Sequence, residues 1–404
     1  MMKIQSLDTF VVANPPPSFG GRYFIFVKVT TACGISGIGE IYSPPFHPST
    51  VPALVDDLAQ RILIGADPLK VEELYRSAYS RGFSGRPDPT MSAIFSGIEI
   101  ALWDIKGKAL DVPVHALLGG AVRQRLRAYT YLYPAADDYQ SQQTYSNPDL
   151  AAERALYYVD QGFSAVKFDP AGPYTRYDPR QLSLQELDRS EVFVTRIREA
   201  VGNRADLLFG THGQMTPASA IRLAKRIEQA DPLWFEEPTA AEKPEEMALV
   251  ARATSIPVAT GERLVGKHEF ARVLENRAAA ILQPALGRVG GIWEAKKIAG
   301  MAECFYAQMA PHLYAGPVEG AANIHLAASL PNFLILESIE QWGGFHAEIL
   351  QQPVEMEGGF VTVPMTPGLG IELNEDVARA NPYSGEDLHL DVHPPVPQEG
   401  CDPR

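Results

Sequence analysis

Two glutamates, Glu236 and Glu262, each follow a short apolar run with the character of a buried strand. They lie 26 residues apart (262 − 236), about the length of one strand–loop–helix–loop repeat. Adjacent parallel strands would bring both carboxylates to one end of a sheet, where α/β proteins place their functional sites. Because neighbouring carboxylates repel, we expect a cation between them, and hard oxygen ligands suit Mg²⁺. The alternative, two separate surface salt bridges, is disfavoured because burial makes unpaired carboxylates costly.

The charge of the chain excludes one class of partner. A formal net charge of −14 argues against nucleic acid, since phosphate binding needs a basic face. A small anionic substrate is not excluded, because a bound metal supplies positive charge locally. At 404 residues the chain is long enough for one large barrel and a smaller domain, or for two to three domains of average size.

The cysteines and the N-terminal residues bear on the compartment. Cys33, Cys304 and Cys401 are widely spaced and leave one residue over, so we expect no disulfide framework. The sequence has no apolar run long enough to span a membrane and no signal-peptide pattern at its start. A soluble, cytoplasmic protein without a membrane partner is therefore expected.

The first part of the chain, residues 1–125, has the pattern of an α+β unit. Its predicted elements are strands 4–12, 22–31 and one ending at Glu40, followed by helices 51–64, 70–79 and 91–110. Two glycine-containing loops, at 15–21 and 80–86, separate these elements and are flexible by composition.

From residue 126 the pattern becomes strand, loop and helix in repeated order. The predicted strands are residues 128–133, 165–169, 206–210, 233–236, 257–260, 280–286, 306–310 and 334–337. This number of strands is what a β/α barrel requires, although alternating strands and helices also fit a doubly wound sheet. The count favours the barrel.

The predicted fold class is therefore α/β, a modified TIM (β/α) barrel with an α+β capping domain. The barrel is assigned to residues 126–354 and the cap to residues 1–125. Residues 355–404 are expected to complete the cap, with short strands at 360–363 and 370–373. The proline-rich tail from Asn381 is expected to run over the surface.

Several motifs give the chain a family resemblance. They are Ala101-Leu102-Trp103-Asp104-Ile105-Lys106-Gly107-Lys108, Leu117-Leu118-Gly119-Gly120, Phe235-Glu236-Glu237-Pro238, Gly261-Glu262, Gln283-Pro284 with Gly290-Gly291-Ile292, Ala310-Pro311-His312 and Pro367-Gly368-Leu369-Gly370. As a set they resemble the enolase superfamily, within it the mandelate racemase subgroup and its acid-sugar dehydratases of the galactonate and mannonate type. The resemblance spans nearly the whole chain.

The resemblance implies a defined chemistry. A metal held by carboxylates on successive strands binds the substrate carboxylate, a base removes the α proton, and the metal stabilises the enediolate. Reprotonation gives racemisation, whereas loss of a β-hydroxyl protonated by a histidine gives dehydration. In such enzymes two N-terminal loops close over the barrel mouth, and they correspond here to residues 19–22 and 81–86. Arg22 and Arg86 are accordingly predicted to bind substrate.

The metal ligands are carried over with one departure. Glu236 and Glu262 match the family, but the position of the usual third ligand, an aspartate, is Gly210. Asp169 is assigned as the third ligand of Mg²⁺, with His212 as the alternative. Asp169 also stands where the racemases carry the second lysine of a Lys-x-Lys pair, which disfavours a racemase with two such bases.

Four residues are the catalytic candidates that the resemblance implies, namely His212, His312, Lys167 and Glu337. The two histidines are the acid and base candidates, without an assignment of which is which. Relatives often carry an aspartate after Gln-Pro that orients the second histidine, but Ala285 stands there. Lys167 is expected to contact substrate, and Glu337 to support the substrate or the acid. Plain ion pairs are the alternative for both.

The sequence thus predicts a Mg²⁺-dependent hydro-lyase that removes the α proton of an acid sugar and eliminates water. The alternatives are a cycloisomerase or racemase of an acid sugar or its lactone, and a non-catalytic barrel that binds sugar acids. A small-molecule acid sugar is the expected partner of a homo-oligomeric protein in carbohydrate catabolism.

Overall fold

An antiparallel meander opens the chain. The structure is a computed structural model that describes residues 2–42, 44–83, 85–86, 88–136, 138–139 and 141–390. The meander consists of β1 (Ile4–Ala13), β2 (Tyr23–Thr31) and β3 (Ser36–Glu40), with β2 in the middle. These strands confirm the prediction for the cap, with boundaries that differ by a single residue.

Helices pack on this meander. They are α1 (Val51–Leu58), which runs on into a π-helical turn at Ala59–Leu63, then α2 (Val71–Tyr79), α3 (Pro89–Leu110) and α4 (Val114–Leu117), with short 3₁₀ turns at Pro48–Thr50 and Arg81–Phe83. The Asp88 side chain caps α3 by accepting from the Met91 N–H. The α3 helix then approaches β3 so closely that a Cβ on Gly39 would lie 1.7 Å from the Gly97 carbonyl oxygen.

Parallel strands close into a barrel in the second part of the chain. They are β4 (Arg125–Tyr131), β5 (Ala165–Phe168), β6 (Asp206–Gly210), β7 (Trp234–Glu236), β8 (Val258–Thr260), β9 (Ile281–Leu282), β10 (Gln308–Met309) and β11 (Leu336–Ser338). Neighbours in the chain pair in order from β4 to β10, and β11 pairs with β4. The Leu334 N–H donates to the Met309 carbonyl at 2.8 Å and links β10 to the last strand. The barrel is therefore confirmed over the doubly wound sheet.

Helices follow the barrel strands on the outside. They are α5 (Pro148–Asp160), α6 (Leu184–Val201), α7 (Pro217–Ile227), α8 (Pro244–Ala251), α9 (Gly266–Glu275), α10 (Leu286–Val289), α11 (Ile292–Cys304), α12 (Pro317–Ala328) and α13 (Phe345–Glu348), with 3₁₀ turns at Gln143–Tyr145, Gly202–Arg204 and Glu228–Ala230. Side chains that cap the N-terminus determine where several of these helices begin. Ser183 and Glu186 form a reciprocal capping box at α6, and Thr216 caps α7.

The inside of the barrel is built in layers. One apolar layer takes a single side chain from each strand or its flanking residues: Tyr129, Ala165, Leu208, Trp234, Ala259, Ile281, Ala310 and Ile335. Because side chains alternate along a strand, the residue two positions further on also faces inward. That step leads from Ala165 to Lys167 and from Trp234 to Glu236. The same alternation that fills the barrel thus delivers the candidate catalytic residues above the apolar layer.

The C-terminal segment returns to both domains. A hairpin of β12 (Met356–Glu357) and β13 (Phe360–Thr362) pairs antiparallel with β4, and α14 (Glu375–Ala380) follows. The chain then contacts β1, since the Ala13 N–H donates to the Asn381 carbonyl at 2.8 Å. The His389 ring packs so tightly on Gly21 that a Cβ there would lie 1.9 Å from it. The exact domain boundaries remain predictions, and residues 391–404, with Cys401, lie outside the described residues.

Some predicted elements differ from the structure. The sixth barrel strand ends at Leu282 rather than at residue 286, because Pro284 has no N–H for the ladder and α10 begins at Leu286. Residues 370–373 form no strand, and Leu373 makes only an isolated bridge to Leu350. In the part of the chain that the structure describes, no helix has the length and apolar character to cross a membrane.

Candidate active site

The predicted catalytic residues gather at the carboxyl ends of the barrel strands. Their exposure increases from the interior towards the cap. The side chains of Lys167 and Glu236 are each 2% exposed, whereas those of Asp169 and His212 are each 19% exposed. The charged groups at the base of the site are therefore shielded from solvent, whereas Asp169 and His212 are partly accessible.

A lysine ion pair forms the base of the site. The Lys167 Nζ atom lies 2.7 Å from Oε1 of Glu236 and 3.4 Å from Oε1 of Glu337. Burial alone lowers the pKa of Lys167, but the charges of Glu236, Glu337 and Glu262 outweigh it and hold this pKa well above its usual range. Lys167 is thus a permanent cation at physiological pH.

The second oxygen of Glu236 is also occupied. Its Oε2 atom accepts from Gln283 Nε2 at 2.8 Å and from Trp234 Nε1 at 3.0 Å. Together with the bond to Lys167, both carboxylate oxygens have donors within the barrel. Glu236 is therefore bound on every side by groups of this chain.

Gly210 leaves a space that Lys167 fills. A Cβ placed on Gly210 would lie 3.0 Å from Lys167 Cε and 3.3 Å from Asp169 Oδ1. A side chain at this position would require the lysine chain to shift by a few tenths of an ångström. The missing side chain at Gly210 therefore leaves the room that the Lys167 side chain occupies.

Two glutamates orient His312, in place of the aspartate that relatives often carry at the position of Ala285. Its Nδ1 lies 3.1 Å from Glu337 Oε2 and 3.4 Å from Glu262 Oε2. The Leu313 N–H donates to the same Glu337 oxygen at 2.8 Å. Burial lowers the pKa of His312, but the negative charges of Glu262 and Glu337 raise it by more than burial lowers it. The pKa of His312 is therefore above its ordinary value.

His212 pairs with Asp169 on the neighbouring strand end. The His212 Nδ1 lies 3.2 Å from Asp169 Oδ1, and the Tyr131 hydroxyl donates to Asp169 Oδ2 at 2.8 Å. His212 has a φ of 51°, a left-handed conformation that turns the chain after β6. Burial lowers the pKa of His212, yet the Asp169 carboxylate outweighs it and raises the pKa to about 9. At neutral pH the imidazole is therefore protonated.

Glu262 lies between the two histidines. Burial raises its pKa, but the nearby His312 and His212 charges lower it more, so the carboxylate stays ionised. Arg263 follows it and places Nε 3.6 Å from Glu262 Oε1 and 3.3 Å from Glu237 Oε2. The Arg263 Nη2 donates to the His212 carbonyl at 2.7 Å. Sequence reasoning missed Arg263, although it directly follows the Gly261-Glu262 motif.

The donor set does not fit the three-carboxylate magnesium site predicted from the sequence. Among the described residues, no group of three His, Cys, Asp or Glu side chains is placed to hold a metal ion. Asp169 contacts His212 and Tyr131, and both Glu236 oxygens have donors. Glu262 Oε2 is buried without an aligned donor, but Mg²⁺ requires an octahedral set that one carboxylate oxygen does not supply.

The two predicted substrate arginines have contacts of their own. Arg22 Nη1 donates to the Leu388 carbonyl at 2.8 Å, and its Nε lies 3.8 Å from Asp387 Oδ2. Arg86 is exposed and lines a cavity of about 770 Å³ between cap helices, with residues such as Leu54 and Tyr79. None of the predicted catalytic residues lines that cavity. The substrate role of both arginines remains a prediction.

Aromatic side chains cover the site. The Tyr42 hydroxyl lies 3.4 Å from His312 Nε2, and the Tyr174 ring centroid lies 5.0 Å from that of His212. From the first glycine-containing loop, Phe19 stacks on Tyr133 at a centroid distance of 4.2 Å. This loop thus packs against residues that follow β4, as expected of a cap over the barrel mouth.

The chain has clear relatives among known proteins. Residues 9–119 match the mandelate racemase/muconate lactonizing enzyme N-terminal domain, and residues 150–377 match the enolase C-terminal domain-like family. A D-xylonate dehydratase of Haloferax volcanii is 34% identical, covering 91% of this chain and 88% of that protein. A D-galactonate dehydratase of Ralstonia nicotianae is 36% identical and covers 93% of each.

Solved structures agree with these matches. A structure from Labrenzia alexandrii, provisionally named as a mandelate racemase/muconate lactonizing enzyme, is 58% identical with a TM-score of 0.94, covering 96% of this chain and 99% of that one. A mandelate racemase/muconate lactonizing enzyme-like protein from Roseovarius sp. TM1035 is 53% identical with a TM-score of 0.95, covering 98% and 99%.

Proposed function

Since this chain belongs to the mandelate racemase/muconate lactonizing enzyme family of the enolase superfamily, we propose that it is a lyase that dehydrates an acid sugar. The observation that carries the proposal is the pair of histidines that carboxylates orient at the strand ends. His212 lies 3.2 Å from Asp169, and His312 lies 3.1 Å from Glu337. Two oriented imidazoles beside one buried ammonium supply an acid, a base and a positive charge.

His312 is the proposed base. Removal of the proton α to a carboxylate requires a neutral imidazole near the substrate carbon. Glu337 fixes the His312 ring from its Nδ1 side and leaves Nε2 for the reaction, beside the Tyr42 hydroxyl. The raised pKa of His312 makes it a stronger base once it has lost its proton.

Lys167 is the proposed counter-charge. Proton abstraction places a second negative charge on the substrate carboxylate, and preorganised positive groups must stabilise it. The Lys167 ammonium is buried, so its electrostatic effect is screened less than that of a surface lysine. An ammonium has three N–H donors, and its contacts with Glu236 and Glu337 leave one for a substrate carboxylate.

His212 is the proposed acid. A departing hydroxyl needs a proton, and a group with a pKa of about 9 carries one at neutral pH. Asp169 stabilises the imidazolium before the transfer, and Tyr131 holds Asp169 in place. After water leaves, the enol product tautomerises to a 2-keto-3-deoxy acid.

Magnesium is not assigned a step in this proposal. Enolase superfamily members generally use Mg²⁺, but the described carboxylates do not form the set of ligands that the sequence predicts. The relatives named D-xylonate and D-galactonate dehydratase point to an aldonate as the substrate class.

A screen of aldonates and aldarates tests the proposal. The enzyme and its His212→Asn variant are incubated with each acid, and the 2-keto-3-deoxy product is measured. We expect product from at least one aldonate with the unaltered enzyme and none with the variant. Absence of product from every acid, with a galactonate dehydratase as the positive control, would contradict a dehydratase. Exchange of the α proton without product would instead indicate a racemase.

A further inference from the structure

The carboxylates of Glu236 and Glu337 at the base of the site are already paired with a cation that belongs to the chain. We propose that the Lys167 ammonium replaces the divalent metal ion of the family as the cation that pairs with the carboxylates at the base of the site, so that the enzyme binds no catalytic Mg²⁺. This inference deepens the proposed function by identifying the electrophile. Its primary test measures metal binding and does not require turnover.

The first argument is one of space. In the family pattern an aspartate would stand at Gly210 and direct a carboxylate towards the centre of the barrel. Here the glycine has no side chain, and the Lys167 chain passes 3.0 Å from the point where a Cβ would stand. The lost ligand and the inserted ammonium thus occupy adjoining volume at the same depth.

The second argument is one of available donors. The two oxygens of Glu236 accept bonds from Lys167, Gln283 and Trp234. A metal ion could bind Glu236 only by displacing the ammonium or these neutral donors, and each would then be left buried without its partner. No gain from a third carboxylate would offset that loss, because Gly210 cannot supply one.

The third argument is one of charge. Glu236 and Glu337 are both ion-paired with Lys167, and Glu337 also with His312. Glu262 has His312 and Arg263 within ion-pair distance. A divalent cation bound to Glu236 would lie close to the Lys167 ammonium, whose Nζ is 2.7 Å from the same carboxylate, and the two like charges would repel in a medium of low dielectric constant.

The consequence is a covalently fixed electrophile. A compact ammonium places one positive charge and one remaining N–H at the base of the site. An acid sugar would bind by its carboxylate to that N–H, with its α carbon towards the histidines. The chemical class of substrate is unchanged, but the affinity for it should not depend on free Mg²⁺.

Calorimetric titration with Mn²⁺ and Mg²⁺ tests the proposal. The unaltered protein is compared with the double variant Gly210→Asp/Lys167→Met, which restores the third carboxylate and removes the ammonium. We expect no saturable binding to the unaltered protein at millimolar metal, and at least tenfold tighter binding to the double variant. Lys225→Met, at an exposed lysine on α7, is the matched control and should behave as the unaltered protein.

One stoichiometric, saturable divalent site in the unaltered protein would overturn the proposal, and this measurement stands even if the double variant fails to fold. A second readout is turnover after dialysis against EDTA. Undiminished turnover supports the inference, and loss that Mg²⁺ restores contradicts it. If no acid sugar is turned over, the proposed function fails, while the metal titration still decides the role of Lys167.

Discussion

The Nζ atom of Lys167 and the Oε1 atom of Glu236 lie 2.7 Å apart in the interior of the barrel, with both side chains 2% exposed. The two residues are 69 positions apart in the sequence and come from β5 and β7. Neither charge has access to bulk water. Each charge is therefore stabilised chiefly by the other.

Replacing Lys167 by methionine should destabilise the protein by about 3–5 kcal/mol, because the variant leaves a buried carboxylate without its cation. Urea denaturation of the variant measures the change in the free energy of unfolding. The control Lys225→Met removes an exposed lysine of similar length and should change it by less than about 0.5 kcal/mol. Equal stability of the two variants would contradict the dependence of Glu236 on the Lys167 cation.

Turnover should decline at alkaline pH as His212 loses its proton, with an apparent pKa of about 9. The Asp169 charge raises this pKa, so Asp169→Asn should move the decline to lower pH. The profile of kcat against pH for both proteins gives the comparison. An unchanged alkaline limb in Asp169→Asn would exclude His212 as the acid that Asp169 supports.

Turnover should also rise with pH through the raised pKa of His312, because a base must be unprotonated to accept the α proton. Glu337→Gln removes one of the charges that raise this pKa. The acidic limb of the variant should therefore shift towards lower pH, while kcat itself falls. A limb that moves towards higher pH would contradict the assignment of His312.

His212 should make stability depend on pH. Its pKa is raised from 6.5 to about 9 on folding, so its contribution is fully present below pH 6.5 and is lost as the pH rises through 9. The contribution is on the order of 3 kcal/mol. The free energy of unfolding of the unaltered protein minus that of His212→Asn should therefore decrease between these pH values. A difference that is constant with pH would rule this linkage out.

Gly21→Ala should destabilise the cap more than Gly34→Ala. Both glycines have positive φ, at 110° and 88°, so both substitutions introduce backbone strain of about 1–2 kcal/mol. A Cβ on Gly21 also collides with the His389 ring, whereas one on Gly34 meets no atom within 4 Å. We expect a further loss of about 1–3 kcal/mol at Gly21, measured by thermal unfolding. Equal losses would mean that the His389 contact is absent in solution.

Much of the fold follows from sequence pattern. The alternation of strands and helices predicted an α/β fold, and the number of predicted strands favoured the barrel over a doubly wound sheet. Strand ends placed Glu236, His212 and His312 in one site, since parallel strands point the same way. The predicted length of the sixth barrel strand is too great, because the apolar residues of that strand continue into α10.

The partners of the side chains could not be predicted in this way. The sequence shows that Gly210 lacks a carboxylate and that Ala285 cannot orient a histidine, but not what replaces them. The replacements, Lys167 and Glu337, come from strands far away in the sequence. Their reach depends on rotamers that only the closed barrel determines. Arg86 is a second example. The sequence predicted the loop that carries it, but not that its side chain would line a cavity of the cap.

The return of the chain to the cap has a consequence for synthesis. The residues that hold β1 and Gly21, Asn381 and His389, are made only after the whole barrel. The cap meander forms early from local contacts, yet its last contacts close a loop of several hundred residues. The cap therefore reaches its final stability only when the barrel has emerged, so a truncation before Asn381 should leave a formed barrel beneath an incompletely packed cap.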